Sequence, residues 1–168
     1  MAGATLTLAA CGLLSGEEAR PCPRVAVIVD AANLTVFTPG PGRDLIDVQY
    51  EAEVAQLATT CRYDRNSVTS TVPIRVIATR GPAAQTNQVT IPFFVAIAEG
   101  RGNVLGRERF ESTLVFQGNQ RRAGVVEEIE QIVRLRTPTQ NAAEFDILIG
   151  LELTPDQLQF NRQRLGRR

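Results

Sequence analysis

From residue 24 onward the chain alternates apolar and polar positions with a period of two, the mark of half-buried strands. Val25, Val27 and Val29 alternate, Asp30–Asn33 interrupts, and Leu34–Phe37 continues the run. After a turn-forming Thr38-Pro39-Gly40-Pro41-Gly42, the residues Ile46, Val48, Tyr50, Ala52 and Val54 point one way. Asp47, Gln49, Glu51 and Glu53 point the other, so this strand has one wet face and one buried face. A third strand carries Val68, Val72, Ile74, Val76 and Ala78; Pro73 on its outward face predicts an edge or a bulge. Beyond Gly81-Pro82, Val89, Ile91, Phe93, Val95 and Ile97 form a fourth strand, apolar on both faces around Phe94 and expected to be the most buried. A fifth holds Phe110, Leu114 and Phe116, and the last holds Phe145, Ile147, Ile149, Leu151 and Leu153.

Between those two, residues 124–136 fit two periods. Val125, Ile129, Val133 and Leu135 suit a strand with Glu128 and Glu130 outside, whereas Val125/Val126, Ile129, Ile132/Val133 and Arg136 also suit a helical face. The β-branched content favours the strand. Seven strands joined by turns predict an all-β domain over residues 24–153, an antiparallel β-sandwich of immunoglobulin-like architecture without the Cys–Trp–Cys signature. A short C-terminal α-helix follows in residues 154–168. Thr154 is placed to cap it, Pro155 to open it and Gln157 to complete a capping box. Leu158 and Leu165 share one face of this helix, predicting that it lies on an open end of the sandwich; Arg162, Arg164, Arg167 and Arg168 make its end basic.

Composition narrows the chemistry more than it widens it. The chain of 168 residues balances 18 basic against 18 acidic residues, so no net field draws in nucleic acid. With no His, the commonest general base and transition-metal ligand are missing. Ser15, Ser67, Ser70 and Ser112 lie outside any nucleophile elbow, and the carboxylates of Glu127-Glu128-Glu130 and of Asp44 with Asp47 read as solvated faces. Nothing in the residues asks for catalysis, a cofactor or a metal. Pro73 and Pro92 are expected to blunt two sheet edges against an added strand.

Ahead of the strands, Leu8-Ala9-Ala10-Cys11 closes an apolar, small-residue stretch. It reads as a lipobox, in which Cys11 is lipidated and becomes the first mature residue; the alternative is a short apolar strand or a frayed end. The basic region that opens a signal peptide is missing, which implies that translation starts upstream of Met1. Residues 12–23 read as a tether able to reach about 40 Å when extended. The remaining two cysteines, Cys22 and Cys61, are then expected to form a disulfide, against the alternative of two buried thiols. Such a bridge is expected to tie the lead-in segment to the end of the second strand rather than to join sheet to sheet.

The chain resembles a family of uncharacterised alphaproteobacterial envelope lipoproteins. The likeness rests on Leu34-Thr-Val-Phe-Thr-Pro-Gly-Pro-Gly-Arg-Asp44, Arg80-Gly-Pro-Ala-Ala84, Phe93-Phe-Val-Ala-Ile97, Gly150-Leu-Glu-Leu-Thr-Pro-Asp-Gln-Leu158 and Asn161-Arg162. It implies a lipidated envelope protein and supplies no site residues. Gly12, in place of the Asp that marks inner-membrane retention, points to the outer membrane, periplasmic face. The expected role is structural or accessory, alongside an envelope protein partner. The alternative is a periplasmic module that binds peptidoglycan or polysaccharide.

Overall fold

The computed structural model describes residues 20–100 and 102–166. The lipobox with Cys11, residues 12–19 of the expected tether, and Arg167 and Arg168 lie outside the described residues. Nine strands and one α-helix follow in order: β1 (Arg24–Val27), β2 (Asn33–Phe37), β3 (Val48–Gln56), β4 (Thr60–Tyr63), β5 (Ser67–Arg80), β6 (Gln88–Glu99), β7 (Asn103–Val115), β8 (Arg122–Arg134), β9 (Phe145–Leu151) and α1 (Pro155–Leu165). They make the expected β-sandwich with a C-terminal helix. One sheet has the order β1-β9-β6-β7; the other runs β2-β3-β5-β8, with β4 beside the first half of β5. All pairings are antiparallel except β1 with β9, which is parallel.

The alternating residues meet between the sheets. Ile91, Phe93 and Val95 of β6 and Ile147, Ile149 and Leu151 of β9 pack against Val72, Ile74 and Val76 of β5, all buried. A smaller cluster of Val68, Val133, Leu135, Ala142 and Phe145 fills one end, beneath Cys61 and Tyr63. On the outer side of the first sheet Phe94 lies against Gly150, where a Cβ would stand 2.7 Å from the ring. A glycine is required there by the close approach. Arg107 lies over that ring at 4.1 Å and bonds Glu152. Residues 124–136, ambiguous by period, lie mostly in β8, paired with β5 along its whole length.

Several expectations change. Val25–Val29 and Leu34–Phe37 are not one strand: a 3-10 turn at Val29–Ala31 carries the chain from one sheet to the other, leaving Val29 exposed. Ile46 is exposed too, because Leu45–Asp47 is another 3-10 turn and the strand begins at Val48. Pro73 and Pro92 mark no edge. Each sits in a strand paired on both sides, where its missing N–H faces a gap in the neighbouring ladder. Pro73 O accepts from Leu57 N–H, between the end of β3 and the start of β4, and Pro92 O accepts from Glu152 N–H just past β9.

The helix has the expected capping box, Thr154 with Gln157, but not the expected face. Leu165 is exposed; the buried residue is Asn161, whose amide donates to Asp30 O at 2.9 Å and Asn33 O at 2.6 Å. Phe160 meets Phe37 edge-on, so α1 lies along β2 at the edge of the second sheet.

Candidate functional site

The two lateral sides of the sandwich are built differently. On one side the edge strands are β1 and, from the other sheet, β2 and β4. Cys22 and Cys61 are disulfide-bonded with Cα atoms 5.8 Å apart. Cys61 lies on β4, a strand the alternation did not reveal, and Cys22 lies two residues before β1. The bridge therefore ties the lead-in to the domain as expected, but to β4 at the edge of the second sheet rather than to the end of the second strand. The last residues of the expected tether are also fixed to the domain. Arg20 lies over the Tyr63 ring at 3.7 Å and donates to Pro138 O at 2.9 Å, while the Tyr63 hydroxyl donates to Pro21 O.

The opposite side carries the free edges of β7 and β8. Between them apolar contact gives way to hydrogen bonds. Buried Ser112 donates to Glu127 at 2.8 Å, and buried Gln131 donates to Glu108 at 3.2 Å. From Asn103 to Arg109, β7 is exposed on both faces.

A groove runs over the outer face of the second sheet. Under α1 it encloses about 470 Å³, lined by Thr35, Glu51, Glu53, Thr79, Asn161 and Arg164 among others. Arg164 pairs with Glu51 at 3.5 Å and Arg122 pairs with Glu53. Past Arg122 and Ile77 it continues toward the β8 edge as a shallower hollow of about 440 Å³ around Arg75, Gly124 and Val126.

The carboxylates that stood out in the sequence are dispersed. Glu128 and Glu130 are exposed on β8, Glu127 turns inward to Ser112, and Asp44 and Asp47 cap the 3-10 turn beside them. Among the described residues no three His, Cys, Asp or Glu side chains gather as metal ligands. Ser70 is buried with its hydroxyl unpaired, hydrogen-bonded to no carboxylate or other base. Burial pushes the Tyr50 hydroxyl above its ordinary value of 10.0. No helix among the described residues is long and apolar enough to cross a membrane.

No protein-family model and no curated protein matches the chain. Among solved structures it is similar to the variable (V) domain of the Streptococcus agalactiae AgI/II polypeptide BspA, at 9% identity over 75% of each chain with a TM-score of 0.21.

Proposed function

We propose that this chain is a non-catalytic lipoprotein, anchored through Cys11 in the outer membrane and facing the periplasm as a structural or accessory subunit of an envelope protein assembly. The observation that carries the reading is the Cys22–Cys61 disulfide. A bridge of this kind persists in an oxidising compartment, and here it leaves Cys11 as the one remaining cysteine, within the lipobox. The Arg20–Tyr63 clasp supports the same reading, because it leaves only residues 12–19 between the lipid and the folded domain. Two or more acyl chains on Cys11 give the stable attachment that a single chain does not.

Mass spectrometry of the protein from native membranes tests this. The expected result is diacylglycerol and acyl mass on an N-terminal Cys11, with Cys22 and Cys61 oxidised. An unmodified Cys11 still preceded by Ala10 overturns the anchor.

The polar groove under α1 favours a second reading, a module that binds peptidoglycan or polysaccharide through Glu51, Glu53, Asn161 and Arg164. Recovery of sacculus fragments, with no stoichiometric protein partner, in a pull-down from solubilised envelopes would favour it over the first.

A further inference from the structure

Hydrogen bonding along the second sheet fixes which backbone groups of β8 are free. Pro73 O accepts from Leu57 N–H, so the odd-numbered residues of β5 direct N–H and C=O toward β3 and β4, and the even-numbered ones toward β8. The register sets Val72 opposite Ile129 and Val76 opposite Val125. Odd-numbered residues of β8 therefore bond β5, and Leu135 N–H continues that series to Asn66 O. The even-numbered residues Gly124, Val126, Glu128, Glu130 and Ile132 direct their amides away from the sheet. All five residues are exposed, and the four side chains among them lie on the outer face of the sheet. Among the described residues no proline, bulge or covering segment interrupts this row, and of the devices by which edges are ordinarily blunted it carries only the charges of Glu128 and Glu130.

We propose that the row is completed by a second copy of this chain, whose β8 lies antiparallel along it about a twofold axis at Val126. In this register Val126 faces Val126, Gly124 faces Glu128, and Arg122 faces Glu130, each twice by symmetry except the first. All these opposed residues are even-numbered, so every pair exchanges both backbone hydrogen bonds.

The side chains select this alignment. Glu128 of one copy enters the space over Gly124 of the other, in the hollow lined by Arg75, Ile77, Arg122 and Val126. Among the described residues Arg75 has no ion-pair partner of its own. An axis at Glu128 would instead oppose Glu128 to itself and Arg122 to Arg134, at a cost. An axis at Ile132 would pair only Glu130 to Arg134, since the strand ends there. Exposed Val126 is covered by its own copy. A two-stranded junction of this sort uses a surface independent of the lipid, so the proposal stands whether or not Cys11 is acylated.

The full chain carrying Cys11→Ser, which leaves the native disulfide as its only cysteines, tests this in solution. Sedimentation across the micromolar range is expected to show a monomer–dimer equilibrium. Adding Val126→Cys is expected to give an intermolecular disulfide on mild oxidation, because paired Cα atoms of this type lie about 5.5 Å apart. Ile132→Cys is expected to give none. Arg75→Glu and Glu128→Arg should each weaken the dimer about tenfold, and the two together should restore it. A chain that stays monomeric throughout, cross-linking at Ile132→Cys rather than Val126→Cys, or a double variant no tighter than the singles would overturn the proposal. Circular dichroism on each variant separates loss of the dimer from loss of the fold.

Discussion

The two lateral sides of the sandwich solve the same problem in opposite ways. A sheet edge exposes unpaired backbone groups, and each side has one edge from each sheet. On the Cys22–Cys61 side the edge strands are short: β1 has four residues, β2 five and β4 four. A covalent bond ties the residues just before β1 to β4, Tyr63 and Arg20 clasp the lead-in, and α1 lies along β2. On the other side β7 and β8 each run 13 residues, bonded across the sandwich through Ser112–Glu127 and Gln131–Glu108, with no other described segment over their outer edges. The difference separates a side that is locked from a side that is available. It also places the lock beside Arg20 and Pro21, on the side opposite the free edges of β7 and β8.

The largest effect is expected from undoing the lock. Replacing Cys22 and Cys61 together by Ser frees a 39-residue loop in the unfolded chain. The chain-entropy estimate for that loop is about 4 kcal/mol, to be read as a lower denaturant midpoint with a steeper slope, because the unbridged unfolded chain exposes more surface. An unchanged midpoint would mean that the two sides do not differ in this respect.

Adjacent prolines sharpen the contrast on the open side. Val125 bonds β5, so Val125→Pro removes a ladder hydrogen bond, leaves its acceptor unpaired and is expected to cost about 2–3 kcal/mol. Val126 directs its amide outward, so Val126→Pro is expected to cost about 1 kcal/mol at most in dilute solution. Equal costs would contradict the assignment of free amides.

A smaller effect tests the clasp. Tyr63→Phe removes the hydrogen bond to Pro21 O while keeping the ring beneath Arg20, and should lower stability by about 1 kcal/mol in thermal or urea unfolding. The smallest concerns Tyr50 on β3. Its folded hydroxyl holds its proton more tightly than the unfolded one, so the folded state binds more protons as the unfolded Tyr ionises. Stability attributable to Tyr50 is therefore full below pH 10 and declines as pH rises from there through the raised folded value. Tyr50→Phe should remove this part of the alkaline loss, measured by unfolding at a series of pH values.

Alternation alone made most of the sandwich legible. It identified β3, β5, β6, β7 and β9 by their inward residues, and β-branched content correctly resolved β8, whose spacing also suits a helix. It could not distinguish a strand from two strands in register. Val25–Val29 and Leu34–Phe37 keep the same pattern on either side of the Val29–Ala31 turn, yet they belong to different sheets. Nor could it see β4, where Thr60-Cys61-Arg62-Tyr63 has no apolar run; its burial comes from Tyr63 and the bridged Cys61.

The cysteine count gave the disulfide pair and its hold on the lead-in, but not the strand it reaches, because β4 has no apolar alternation. Pro73 misled for another reason: a proline needs a missing partner at one amide, not a missing strand. The free amides of β8 have no sequence signature at all. They follow from the register with β5, which is a property of the assembled sheet.

Residue-resolved hydrogen exchange of the full chain tests the central contrast most directly, since protection reports which amides are bonded. In dilute solution the amides of Val125, Glu127, Ile129, Gln131 and Val133 should be protected and those of Gly124, Val126, Glu128, Glu130 and Ile132 should exchange quickly. As concentration rises, Gly124 through Glu130 should gain protection at the even positions while Ile132 remains fast. Uniform protection along β8 at every concentration would contradict an open edge.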